Sequence, residues 1–145
     1  MGMRYQRETK IKYRHKMEYC KEEDISEKII KRIVQNYLNH KCCFSSLVDL
    51  KNILPLYLIC GFIYLKRYLK NMKNRLKDSV LTKIFLTCCW IAIKNFNDSY
   101  VASQDFLDNY KCNNKEIIFI EAHLLSKINY NIDITQLEIM NWDID

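Results

Sequence analysis

The longest uncharged apolar run, Ile53 to Leu65, is thirteen residues and holds the chain's one proline, Pro55, and one of its two glycines, Gly61. It falls short of the roughly 20 residues that span a bilayer, so it has to be buried against other protein. Proline has no N–H to leave unbonded in the first turn of a helix, and it disfavours helical geometry in the residue before it. Pro55 therefore predicts the start of a helix over about 55–72, apolar around most of its circumference as a central member of a bundle should be. The lysine-rich stretch KRYLKNMKNRLK reads as that helix's exposed end and connector, where cations complement the helix dipole.

The second constraint is Val80 to Phe96, VLTKIFLTCCWIAIKNF, nearly all apolar and preceded by the capping candidates Asp78 and Ser79. It predicts a hub helix on which Cys88, Cys89 and Ala92 let neighbours approach closely. Before these two, Ile25, Ile29, Ile33, Tyr37 and Leu38 recur at helical spacing, widened by Ile30 and Val34, and predict an amphipathic helix from Asp24 to about Asn39. Ser45 or Ser46 is placed to cap a short helix carrying Leu47, Val48, Leu50 and Ile53. Ser103 is placed to cap DFLDNYK, and Asn114 a longer helix, KEIIFIEAHLLSKI, with Glu116 near its positive end. After Asn129 the pattern is irregular, with a last turn around Gln136–Asn141. Two glycines and one proline in 145 residues leave little for tight turns or sheet edges, so the expected fold is all-α in one domain.

The net charge of +6 invites a nucleic-acid reading until it is divided along the chain. Residues 1–21 carry +5, residues 66–77 carry +6 and residues 98–145 carry −6. Basic ends and connectors with an acidic far end fit solvated segments and a polarised partner surface better than one basic stripe. Neither nucleic acid nor a membrane is an expected partner. The seven cysteines are an odd set without CxxC spacing, which suits reduced thiols and a cytoplasmic or nuclear protein. The start MGMRYQRETK has charge without an apolar stretch behind it, and no leader is expected from it.

Little points to catalysis or to a metal. His40, Cys42 and Cys43 sit close together, but adjacent cysteines present two sulfurs to one ion poorly. Cys88 and Cys89 lie in an apolar helix, where free cysteine behaves as a small hydrophobe. No glycine-rich phosphate loop or nucleophile loop is present, so no catalytic residue, metal ligand or cofactor is expected. Two charges are more informative, because both interrupt apolar runs: Lys94 closes CCWIAIK and Glu121 splits IIFIEAHLL. Each is either satisfied by a local pair or turned toward a partner, where desolvated charge-assisted hydrogen bonds set register.

In order and spacing these residues resemble the cyclins, and within them the P-type or U-type group related to phosphate-regulatory cyclins. The similarity covers Leu58 to Ile132, with a weaker extension back to Phe44. It rests on Tyr64-Leu65-Lys66-Arg67, Ala92-Ile93-Lys94, Asp98-Ser99-Tyr100, and Glu116 and Glu121 followed by Leu124, Leu125, Ile128 and Tyr130. Three positions depart from the family pattern: Lys66 stands where an Asp is usual, Ser103 where Asn is common, and Tyr110-Lys111 where a Gly-Gly turn is found. The resemblance implies a five-helix cyclin box with an additional N-terminal helix. The chain would divide into a basic tail or extension over 1–22, the box with its preceding helix over 23–133, and a C-terminal tail over 134–145. It also implies a regulatory subunit, without catalysis of its own, that binds and activates a cyclin-dependent serine/threonine protein kinase. Lys94 and Glu121 would hydrogen-bond the kinase's regulatory helix, with Leu125 and Tyr130 as apolar anchors beside them. The alternatives are a cyclin-fold adaptor for a non-kinase protein or nucleic acid, and a basic helical nucleic-acid module. Salt dependence separates the last from the others, because phosphate contacts weaken steeply with ionic strength.

Overall fold

The computed structural model describes residues 22–37, 53–70, 72, 76–96, 104, 106–108, 110 and 113–144, and every regular element among them is helical. The order is α1 (Glu22–Tyr37), α2 (Pro55–Lys70), α3 (Asp78–Phe96), α4 (Asn114–Lys127) and α5 (Gln136–Met140). A further helical stretch includes residues 104 and 106–108. The short helix expected before Pro55 and the Ser103 cap lie outside the described residues, as do residues 1–21.

Each start follows from local chemistry. α2 begins at Pro55, and the Leu54 carbonyl accepts its first helical bond, from the Leu58 N–H at 3.2 Å. α3 begins earlier than its capping candidates suggest: the Lys77 carbonyl accepts from Leu81 N–H at 2.9 Å, so Asp78 is already inside the first turn. α4 is capped by Asn113 rather than Asn114, its side chain accepting from the Lys115 N–H.

The core is built on α2 and α3. Every residue of α2 from Pro55 to Leu65 is buried, and α3 contributes Leu81, Ile84, Phe85, Cys88, Cys89, Ile91, Ala92, Ile93 and Phe96. Ile25, Ile29 and Ile33 of α1 close one side of it, and Ile117, Leu124 and Ile128 of α4 another. By length and mean hydropathy Ser79–Phe96 would also suit a membrane, but two-thirds of it is buried inside this bundle, and its apolarity is that of a core helix.

Gly61 lets α2 and α3 meet backbone to backbone. A Cβ added there would lie 2.7 Å from Cys89 Sγ and 3.1 Å from the Cys89 Cα and N. A sulfur at the end of a short side chain has some freedom to yield, whereas the α3 backbone has little. The thiols of Cys60, Cys88 and Cys89 are free and buried, and burial pushes all three pKa values up, so they pack as protonated apolar groups.

Residues 134–144, set apart as a tail on sequence, are packed on the bundle. Ile134, Ile139 and Trp142 are buried, Trp142 meets Phe62 edge-to-face at 5.9 Å between centroids, and Thr135 and Glu138 cap α5 reciprocally. Lys66 Nζ donates to the Trp142 carbonyl at 3.0 Å. The basic stretch at the end of α2 is therefore only partly exposed: Tyr68 is buried and Lys66 and Arg67 hold the chain's far end.

Gly61→Ala tests the α2–α3 contact. Alanine favours the helix by about 1 kcal/mol, but overpacking a close backbone contact costs about 1–3 kcal/mol. A net loss of up to about 2 kcal/mol in chemical denaturation is expected, with Cys89→Ala recovering only part because the backbone contact remains. A variant that gains the full helix propensity of alanine, about 1 kcal/mol over wild type, contradicts the contact.

Candidate functional site

The four residues singled out on sequence lie along one edge of the bundle. Lys94, in the last turn of α3, reaches across to Glu121 in the middle of α4, and its ammonium donates to Glu121 Oε2. The two charges satisfy each other, the first of the two readings, and Lys94 keeps 37% of its side chain exposed and Glu121 21%. The pair stays wet enough to exchange partners, and a half-exposed bridge of this kind contributes about 1 kcal/mol or less to the fold.

Lys94 has a second support that sequence reading missed. Its Nζ sits 3.5 Å from the centroid of Trp90, one turn earlier on α3. Spacing alone offered the signal, since residues four apart share a helix face.

Leu125 lies one turn after Glu121, half-buried against the core. Tyr130 lies just past the end of α4 and is 69% exposed. The two are joined through the helix terminus: Asn129 N–H donates to the Ser126 carbonyl and Tyr130 N–H to the Leu125 carbonyl at 2.8 Å. This is the double bond pattern that closes a helix with a left-handed residue after the cap, a place where Asn stands in for Gly. Here two successive residues are left-handed, Asn129 at φ 56 and Tyr130 at φ 58. That backbone is unusual for a bulky side chain.

The surrounding structure holds Tyr130 there. Tyr64 of α2 donates its hydroxyl to the Ile132 carbonyl at 2.7 Å, and Asn95 of α3 donates to the same carbonyl and to the Tyr64 oxygen. Arg67 donates to the carbonyls of Asn131 and Asp133, each at 2.8 Å, and pairs with Glu138 at 2.7 Å. An Asp at position 66 is thus not needed to hold Arg67, because α5 supplies the carboxylate. Burial pushes the Glu138 carboxyl up, but the Thr135 backbone N–H and the Arg67 guanidinium outweigh it and hold it below the usual range.

The outer side of α4 adds what the sequence reading left out. Ile118 is 60% and Phe119 77% exposed. Four consecutive apolar residues, IIFI, cannot all reach one core at 100° per residue, and Ile117 is the one of them that is buried. Near the start of both helices Lys83 bridges to Glu116 at 2.6 Å, a second rung between α3 and α4. Beside it is a cavity of about 180 Å³ lined by Leu86, Tyr110, Ile117 and Ile120 among others. That is smaller than the roughly 300 Å³ at which small-molecule pockets begin. Among the described residues no three His, Cys, Asp or Glu side chains gather as a metal site; His40, Cys42 and Cys43 lie outside them.

The family model for the cyclin N-terminal domain matches residues 2–133. The chain belongs to the cyclin family. Its helical fold agrees, with α2 and α3 as the paired central helices and the Lys94–Glu121 bridge joining the end of α3 to α4. No curated protein and no solved structure matches the chain. The matched span ends at 133, yet the cyclin box is fastened to residues beyond it through Arg67–Glu138 and Lys66–Trp142.

Acid should loosen that fastening. With its folded pKa below the unfolded value, Glu138 contributes stability above about pH 4 that is lost as pH falls through the folded value. Thermal unfolding between pH 6 and pH 3 is expected to show less acid sensitivity in Glu138→Gln than in wild type. At pH 7 Arg67→Ala is expected to lose about 2 kcal/mol, since it frees two carbonyls and a carboxylate.

Proposed function

We propose that this chain is a regulatory subunit, a P-type or U-type cyclin, that binds and activates a cyclin-dependent serine/threonine protein kinase. The observation that carries the proposal is the pinned edge of the box. An adaptable Lys94–Glu121 pair borders exposed or half-exposed apolar residues, Ile118, Leu125 and Tyr130, on α4 and its cap. An apolar face with polar groups at its margin is how a protein surface takes a partner helix. Lys94 and Glu121 would each hydrogen-bond the kinase's regulatory helix, while Leu125 and Tyr130 pack beside it.

Activation then works by population shift. A kinase whose regulatory helix swings between two positions is held in the active one by a subunit that binds that position more tightly. The helix's glutamate can then pair with the ATP-binding lysine. The cyclin contributes position and no chemistry of its own.

The test is co-purification with candidate cyclin-dependent kinases, followed by a histone kinase assay. Wild type is expected to co-elute with one of them and raise its activity. Lys94→Ala/Glu121→Ala is expected to keep its melting temperature within a few degrees, because the bridge is half exposed, and to bind at least about tenfold more weakly. A folded double variant that activates equally well removes this edge from the interface. Wild type that binds no kinase favours an adaptor for a non-kinase protein.

A further inference from the structure

Trp90 belongs to the buried core, but apolar packing alone does not account for a tryptophan there. It is 8% exposed, and its Nε1–H is buried without a hydrogen-bond partner among the described residues. A buried orphan donor is a standing cost to the fold, because the group gives up water and receives nothing. Phenylalanine or leucine would fill most of an apolar site without that cost. What tryptophan offers over both is its face, which binds a cation more strongly than that of any other side chain. The face is in use: the Lys94 ammonium lies 3.5 Å from the ring centroid while it also donates to Glu121.

We infer that Trp90 is a positioning residue for the partner-binding edge, holding the Lys94 ammonium in the orientation in which it meets the partner. This rests on the regulatory-subunit reading above. The ε-ammonium of lysine is a compact charge on a flexible four-carbon stem. Without a support it samples many rotamers, and ordering it on binding costs affinity. Between Trp90 below and Glu121 beside it, the ammonium is ordered before the partner arrives. It keeps two hydrogen-bond donors open, because an ammonium has three, Glu121 takes one and the ring face consumes none in a directed bond. Glu121 sets its position along the edge and Trp90 its height above the helix.

The test combines a probe of the free protein with a double-mutant cycle. In the nuclear magnetic resonance spectrum of the free chain, the Lys94 ε-methylene protons are expected upfield of ordinary lysine, shifted by the indole ring current. The shift should shrink in Trp90→Phe and vanish in Trp90→Leu. Kinase affinity should fall in the same order, roughly two- to fivefold for Trp90→Phe. In a Lys94→Ala background the Trp90 substitutions should cost no further affinity, because the ring then has nothing to position. Trp90→Phe removes the orphan donor and keeps an aromatic ring, so it should remain cooperatively folded even if Trp90→Leu does not.

An ordinary Lys94 shift in wild type overturns the inference, and so does an affinity loss from Trp90→Phe that is undiminished when Lys94 is alanine. Wild type that binds no kinase overturns the regulatory reading and with it the partner-facing role of Trp90. That failure is told apart from the others because there is then no affinity to compare.

Discussion

The structure depends first on the contact of α2 with α3 at Gly61 and Cys89. Two nearly all-apolar helices gain most when their backbones come close, since dispersion and water exclusion both rise as the gap shrinks. Gly61 removes the side chain that would keep them apart, and Cys88, Cys89 and Ala92 keep the α3 surface low. With α3 seated in this way, its residues near the C-terminal end have only one way to point outward. Lys94 marks that direction, with Trp90 buried one turn before it. The candidate interface is therefore a consequence of core packing as much as of its own side chains.

The second dependence is on the far end of the chain. α4 ends in two left-handed residues, the second of them a tyrosine, and this arrangement is held by the carbonyls that follow it. Tyr64, Asn95 and Arg67 reach those carbonyls from the two central helices, and Glu138 returns from α5 to meet Arg67. The same core helices that carry Lys94 thus also set the height of Tyr130. An outlying φ at an exposed aromatic residue, maintained by half-buried and exposed hydrogen bonds, is the kind of strain a fold keeps where a surface has work to do.

Elements built on long periodic patterns were legible in the sequence. Ile25, Ile29 and Ile33, the Pro55 start and the run through Phe96 each carry a period or a breaker that local physics reads directly. Helix starts were off by about one or two residues, because capping depends on backbone angles that sequence does not display. Lys94 and Glu121 stood out as charges in apolar runs, but that they bridge each other is a tertiary fact. The order of residues after Asn129 was the least legible. Arg67 holds carbonyls and a carboxylate 64 to 71 positions away, and no local pattern announces such partners. Lys66 stands where the family pattern has an Asp, and the structure gives Arg67 a carboxylate from α5 instead. Trp90 was hidden for a different reason: in a sequence an aromatic residue in a core helix looks the same whether its ring packs or carries a cation.

The measurement that bears most directly on the central claim is hydrogen–deuterium exchange of the chain with and without its bound kinase. The account predicts new protection confined to the C-terminal half of α3 and to α4 with its cap, residues 90–96 and 116–130, and little change in α5. Protection centred instead on the exposed Leu137, Met140 and Ile144, with the Lys94–Glu121 edge exchanging as in the free chain, would contradict it.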